Sequence, residues 1–401
     1  MLTRRTFVSR LSTLPLVGGL FAAGESTSVA ASASMAAKRN FFKELGVRPF
    51  INAAGTFTDM TASLMAPEVM EAINYASKQF VPLNELHDRV GERIASLVKA
   101  EAAMVSCGAA SAMTLGMAGV LTGTDQQKVG AIPNLAGMKS EVIMLKAHRF
   151  GYDRAIRNCG VKIVEVETAD ELERAVTPQT AMMLFYNNNN SLGQVRHEQF
   201  VALGKKHGVP TMNDCAADVP PVENLWKYTG MGFDLVAFSG GKGIRGPQSA
   251  GLLLGRKDLI AAARANAAPN GNAIGRGMKV NKEEMVGMLA AVERFVTLDH
   301  AALDREYQRR AEVILKSLAG LPGLTASITV PEVANHVPHV AIKIDQAAGI
   351  TGQEVSRKLR EGTPSIGVRP GDELLVGVWM MQPGEEKIVA RRLREVFEKK
   401  A

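Results

Sequence analysis

The chain has 401 residues, 46% hydrophobic and 22% charged, with a formal net charge of +7. That length suggests two or three domains, and that balance excludes a mainly disordered chain, a collagen or a coiled coil. Aromatics make up only 5%, which argues against a base-stacking nucleic-acid module, and residues 1–33 carry part of the positive charge, with Arg4, Arg5 and Arg10 against Glu25.

The chain opens MLTRRTFVSRLSTLPLVGGLFAAGESTSVAASAS. A basic start, an apolar stretch from Leu14 to Ala23 and the small residues Ala31-Ser32-Ala33 have the layout of a cleavable export signal. The stretch is too short to span a bilayer and is interrupted by Pro15, Gly18 and Gly19. Thr3-Arg4-Arg5-Thr6-Phe7-Val8 resembles the bacterial twin-arginine signal, so residues 1–33 are expected to direct a folded protein to the periplasm. No later stretch is long and apolar enough for a stable membrane span. Cys107, Cys159 and Cys215 lie far apart, which gives neither a disulfide framework nor a zinc site.

Residues 34–85 form an N-terminal segment in which Ala66-Pro67-Glu68 opens a helical pattern. A second helix is predicted over Leu86–Val98. Residues 86–280 then alternate short apolar runs with helical stretches. The predicted strands are Ala102–Ser106, Glu141–Leu145, Lys162–Val166, Ala181–Tyr186, Val209–Met212, Leu235–Phe238 and Ala250–Leu254. The helices between them are Ala109–Leu121, Tyr152–Cys159, Ala169–Ala175 and His197–His207. Such alternation predicts an α/β domain with a mostly parallel sheet, whose ligands sit beyond the carboxyl ends of the strands. A glycine-rich break, Pro269 to Gly277, ends this region. Residues 281–401 read as one long helix, Asn281 to about Leu318, followed by a smaller α+β domain with helices near Thr351–Arg360 and Gly384–Glu398.

Three segments carry chemistry. In Ala237-Phe238-Ser239-Gly240-Gly241-Lys242-Gly243, a lysine among glycines follows an apolar strand. A desolvated lysine there can form an imine with an aldehyde, although a surface turn has the same pattern. A nucleotide-binding loop fails on spacing, because Val236 stands where its first glycine belongs. Asp214 ends the next strand upstream and can hold a pyridinium nitrogen protonated, or simply cap a turn. Ser106-Cys107-Gly108-Ala109-Ala110-Ser111 joins a strand to a helix, where backbone N–H groups can bind a phosphate, as in many tight strand–helix turns.

A phosphate loop, a ring acid and an imine lysine in that chain order resemble the fold type I pyridoxal-phosphate enzymes. More narrowly, residues 45–400 resemble the family of bacterial selenocysteine synthase and glucosaminate-6-phosphate ammonia-lyase. The markers are Ile51-Asn52-Ala53-Ala54-Gly55, SCGAASAM, NDCAADVPP, FSGGKGIRGPQSAG, GRGMKVNKEE and MQPGEEKIVARRL. The resemblance implies pyridoxal 5'-phosphate as cofactor, with Lys242 binding its aldehyde and Asp214 pairing with its ring nitrogen. It places Gly108, Ala109 and Ser239 around the phosphate, and His148 where a ring-stacking residue is found. Asn187 or Asn188 is placed to reach the phenolic oxygen, and Asn188 is taken as the candidate. Arg369 of the small domain matches a substrate-carboxylate clamp, with a solvated arginine as the plain alternative. Arg276 is a candidate to reach an anion across a dimer interface. His336 and His339 fall on opposite faces of a strand, which rules out a shared metal.

The expected activity is a lyase that eliminates a β-substituent from a small amino acid or amino sugar acid, with Lys242 as the proton-transfer base. The alternatives are a transferase, of the selenium or amino type, and a non-catalytic binding protein on the same fold. Selenium transfer to a charged tRNA fits poorly, because the segment before residue 45 reads as signal rather than as a tRNA-binding domain. A small-molecule amino substrate, no nucleic-acid partner and a homodimer or higher homo-oligomer are expected.

Overall fold

A computed structural model describes residues 39–398. The chain divides into two units, residues 1–50 and residues 51–401. Within the first, a single helical turn, Phe41–Glu44, is capped by Asn40, whose side chain accepts from the Lys43 N–H. The expected export signal lies outside the described residues.

The second unit is built on a seven-stranded sheet. Its strands are β2 (Ala102–Ser106), β3 (Glu141–Leu145), β4 (Lys162–Val166), β5 (Thr180–Tyr186), β6 (Thr211–Asp214), β7 (Leu235–Ser239) and β8 (Gly251–Gly255), after a short β1 (Ile51–Asn52) that lies elsewhere. The order across the sheet is β2-β8-β7-β6-β5-β3-β4. Strands β3 to β7 pair in parallel, and β8 runs antiparallel to both β7 and β2. The carboxyl ends of β2, β5, β6 and β7 therefore share one edge with the start of β8. In register, Tyr186 pairs with Asp214, Asp214 with Ala237, and Gly251 with both Ser239 and Ser106.

The strands read as continuous apolar runs because both faces of the sheet are covered. Ile143, Phe185 and Phe238 pack into one core layer, while Met144, Leu184 and Ala237 pack into the other. The helix Gly108–Thr122 is apolar nearly all round because it lies between the sheet and the helix Lys257–Ala265. Gly119 allows the close approach there, since a Cβ on it would stand 2.7 Å from the Ala263 nitrogen.

The long helix expected over 281–318 is two helices, Lys282–Thr297 and His300–Ser317. Leu298 turns to extended geometry, and Asp299 caps the second helix by accepting from the Ala302 N–H at 2.8 Å. The Tyr152–Cys159 helix shrinks to a short turn and Arg154–Arg157. The remaining strands β9 (Leu324–Thr329), β10 (His339–Ile344) and β12 (Leu374–Gly377) form an antiparallel sheet in the order β12-β10-β9. Strand β11 (Ile366–Gly367) pairs instead with β1 in parallel, which ties Ile51-Asn52 to the C-terminal part of the chain. A third core layer, including Val340, Val376 and Trp379, lies under this smaller sheet. Among the described residues, no helix is long and apolar enough to cross a membrane.

Candidate active site

The shared strand edge opens into a cavity of about 530 Å³, lined among others by Gly108, Ala109, Asn188, Asp214, Asp218, Ser239 and Lys242. That size suits a cofactor-sized ring with a phosphate.

Lys242 follows β7 in a turn whose Arg245 N–H donates to the Lys242 carbonyl at 3.0 Å. The glycines around it let backbone segments touch: a Cβ on Gly243 would stand 2.0 Å from the Val219 carbonyl oxygen. Burial pushes the Lys242 amine below the usual lysine range, against the opposing pull of Asp214 and Asp218. A lysine so shifted is more often the free amine that imine formation requires.

Asp214 is the last residue of β6 and is buried, with one carboxylate oxygen accepting from the Ala216 N–H at 3.0 Å. Burial pushes its carboxyl up to about 6, while that N–H and Lys242 act in the opposite direction. Asp218, four residues on, lines the same cavity and went unrecognised in the sequence. Burial, with Asp214 adding to it, pushes this carboxyl up to about 7, although Asn187 donates to its Oδ2 at 2.9 Å. Its Oδ1 is buried without a partner.

One end of the cavity is formed by the first turn of the helix Gly108–Thr122. Gly108 sits at φ +79°, a left-handed conformation that favours glycine. It also lies against Gly251, where a Cβ would meet the Gly108 carbonyl carbon at 2.5 Å. Ser239, Gln248 and Ser249 close this end, and the Ser249 hydroxyl donates to Glu284. Glu284 also completes a capping box with Asn281, accepting from the Asn281 N–H at 3.0 Å. The GRGMKVNKEE segment thus both starts a helix and braces the cavity wall.

The asparagine run divides by role. Asn187 is buried in a polar network behind the cavity, while Asn188 lines the cavity and donates to Asn189 at 3.1 Å. His148 departs from expectation. It is fully buried, its Nδ1 accepts from the Tyr186 N–H at 3.3 Å, and it meets Phe185 edge-on at 4.4 Å between centroids. The apolar packing around Phe185 holds this ring in the core, and the aromatic rings on the cavity wall are Phe57, Tyr152 and Tyr186. Arg369 also stands outside the wall. Its guanidinium lies 3.9 Å over the Phe57 ring and 3.5 Å from Asp59, so Phe57 separates it from the cavity. Arg276 is exposed in a turn away from the cavity. His339 is buried and His336 exposed.

Asn335 is a wall residue without any local sequence signal. It comes from the loop before β10, and its N–H donates to the Ala217 carbonyl at 2.8 Å. The Thr56 hydroxyl reaches its side-chain oxygen at 3.4 Å. Three distant segments therefore meet beside Asp214.

These residues fit pyridoxal phosphate. Lys242 would hold its aldehyde, Asp214 its ring nitrogen, the Gly108–Ala109 turn and Ser239 its phosphate, and the small Ala216 and Ala217 leave room for a flat ring. When bound, the cofactor supplies an electron sink for carbanion chemistry.

The family of L-seryl-tRNA selenium transferase (SelA) matches residues 50–305. A D-glucosaminate-6-phosphate ammonia lyase of Salmonella typhimurium is 30% identical over 376 residues, covering 90% of this chain and 98% of that protein. A 5'-C-glycyluridine monooxygenase-decarboxylase of a Streptomyces species is 29% identical, covering 89% and 92% respectively. The solved structure of a D-glucosaminate-6-phosphate ammonia-lyase superposes with a TM-score of 0.77 at 29% identity, over 90% of this chain and 99% of that one. Cavity, cofactor residues and likeness agree: the chain is a fold type I pyridoxal-phosphate enzyme belonging to the L-seryl-tRNA selenium transferase family.

Proposed function

We propose that this enzyme is a lyase that removes a β-substituent and ammonia from a small amino acid or amino sugar acid. The observation that carries this reading is the single cavity holding Lys242, Asp214 and the Gly108 turn, in a chain similar over nearly its whole length to an ammonia lyase. Lys242 Nζ takes the α-proton of the substrate, and its lowered affinity for protons suits a base that must be free at neutral pH. With the cofactor bound, Asp214 would keep a proton on its ring nitrogen, Asn188 would orient its phenolic oxygen, and the Gly108 turn with Ser239 would anchor its phosphate. The lobes comprising residues 86–280 and 281–401 would work as a cofactor platform and a substrate cover.

The exposed apolar side chains Leu64, Met70, Tyr75 and Phe80 support a homodimer or higher homo-oligomer, in which Arg276 can serve a neighbouring site. The Arg4-Arg5 pair supports export of the folded enzyme to the periplasm. Transfer is the second reading, favoured by the selenium transferase family itself. The two separate when a β-substituted amino acid is supplied without any keto acid. Sustained release of ammonia and a keto acid supports the lyase. A single turnover that resumes only when a keto acid is added overturns it in favour of an aminotransferase.

A further inference from the structure

A second cavity, of about 190 Å³, lies on the other side of the lysine turn: Gly243 and Arg245 line it, as Lys242 lines the first. Arg245 holds φ +58°, a left-handed conformation in which a non-glycine side chain is strained. The chain thus keeps a bulky cation at a position where glycine would be easier. Its guanidinium donates to the Trp379 carbonyl at 2.6 Å and also meets Tyr307. Among the described residues, no carboxylate lies within ion-pair distance of it.

Two more arginines reach the same cavity. Arg310 is engaged by Glu306 at 2.8 Å and donates to the Met381 carbonyl at 2.7 Å, and Arg294 is held loosely by Glu68 at 3.6 Å. Glu306 is already shared between Arg309 and Arg310. Asp304, the other acid on the wall, is exposed. Burial lowers the Arg245 pKa, and Arg294 and Arg310 add to that effect. A half-buried guanidinium without an acid partner is costly unless an anion supplies the missing charge.

We propose that this cavity binds a small anion, a phosphate or carboxylate group, on Arg245, with Arg294 and Arg310 behind it. The anion would fasten the turn that carries Lys242 to the Trp379–Met381 segment of the smaller lobe, making the site a point of control over the catalytic lysine. This inference does not depend on the lyase reading.

The test uses the cofactor-loaded enzyme, so that the phosphate loop of the first cavity is filled. Thermal unfolding and isothermal titration are followed with inorganic phosphate and, separately, succinate. Saturable binding of either supports the site, and the preferred one identifies the group. In Arg245→Gly the strained position is relaxed but the bond to the Trp379 carbonyl is lost, so its unfolding temperature without added anion serves as the baseline for anion-induced stabilisation. Anion affinity should fall about tenfold or more, as loss of a charge-assisted contact predicts. Arg245→Lys, which keeps the charge, should bind more tightly than the glycine variant. The proposal is overturned if neither anion binds saturably. It also falls if Arg245→Gly is destabilised while its anion affinity is unchanged, because Arg245 is then only a structural tie.

Discussion

Asn187 and Asn188 are neighbours of the same type, yet the structure assigns them opposite consequences. Asn187 Nδ2 donates to Asp218 Oδ2 at 2.9 Å and to the Tyr228 hydroxyl at 2.8 Å. Its Oδ1 accepts from His197 Nε2 at 2.6 Å and from Asn213 Nδ2 at 3.3 Å. Truncating Asn187 to alanine strips all four contacts inside a buried network. A buried donor left unmatched costs about 1–3 kcal/mol, and two such donors, His197 and Asn213, are created at once. Allowing for non-additivity, the expected loss is about 3–5 kcal/mol. Asn188→Ala removes only a bond to the neighbouring Asn189 and should cost less than about 0.5 kcal/mol. Urea unfolding of both variants, freed of cofactor and followed by circular dichroism, compares them directly. Cofactor affinity should then fall in Asn188→Ala without a change in stability. A loss below about 1 kcal/mol in Asn187→Ala, or equal losses in the two variants, would refute the reasoning from buried satisfaction.

Other outcomes follow from the same geometry. Lys242→Ala should lose the visible absorption of the bound cofactor, and a borohydride-stable adduct persisting in that variant would show that another amine holds it. Gly251→Ala drives a Cβ to 2.5 Å from Gly108, so cofactor affinity should fall while circular dichroism stays native. Burial raises the Asp214 and Asp218 carboxyls to about 6 and about 7, above their unfolded values near ~4. The stability they contribute is therefore full below about pH 4 and is lost as pH rises through about 6 to 7. Cofactor-free protein should weaken across that window, and Asp218→Asn should flatten the decline measured by urea titration at stepped pH. Arg4→Lys with Arg5→Lys should retain the protein in the cytoplasm, and normal recovery from the periplasmic fraction would point to another export route.

Local patterns were enough for most of the fold. Glu141–Leu145, Lys162–Val166, Ala169–Ala175 and His197–His207 have the same bounds in the sequence reading and in the structure, because periodicity and strand composition are properties of adjacent residues. That Lys242, Asp214, Gly108, Ala109 and Ser239 line one cavity was legible for a related reason: they lie at strand ends, at a helix start or in the turn just after a strand, and a parallel sheet brings such ends to one edge. Leu298-Asp299 was missed as a break, since neither glycine nor proline marks it and the helical period resumes beyond it. Which way a loop side chain turns was beyond any local pattern. His148 went into the core because Phe185 and the Tyr186 N–H offered it better company than the cavity. Arg369 stopped behind Phe57, a residue more than three hundred positions earlier in the chain. Asn335 joins the site, and Asp218 becomes a neutral-leaning acid, only once distant segments exclude water around them. Sequence thus determined which elements form and which chemistry they carry. Tertiary packing alone decided which side chains face the cavity, because burial and long-range contacts set both their direction and their charge.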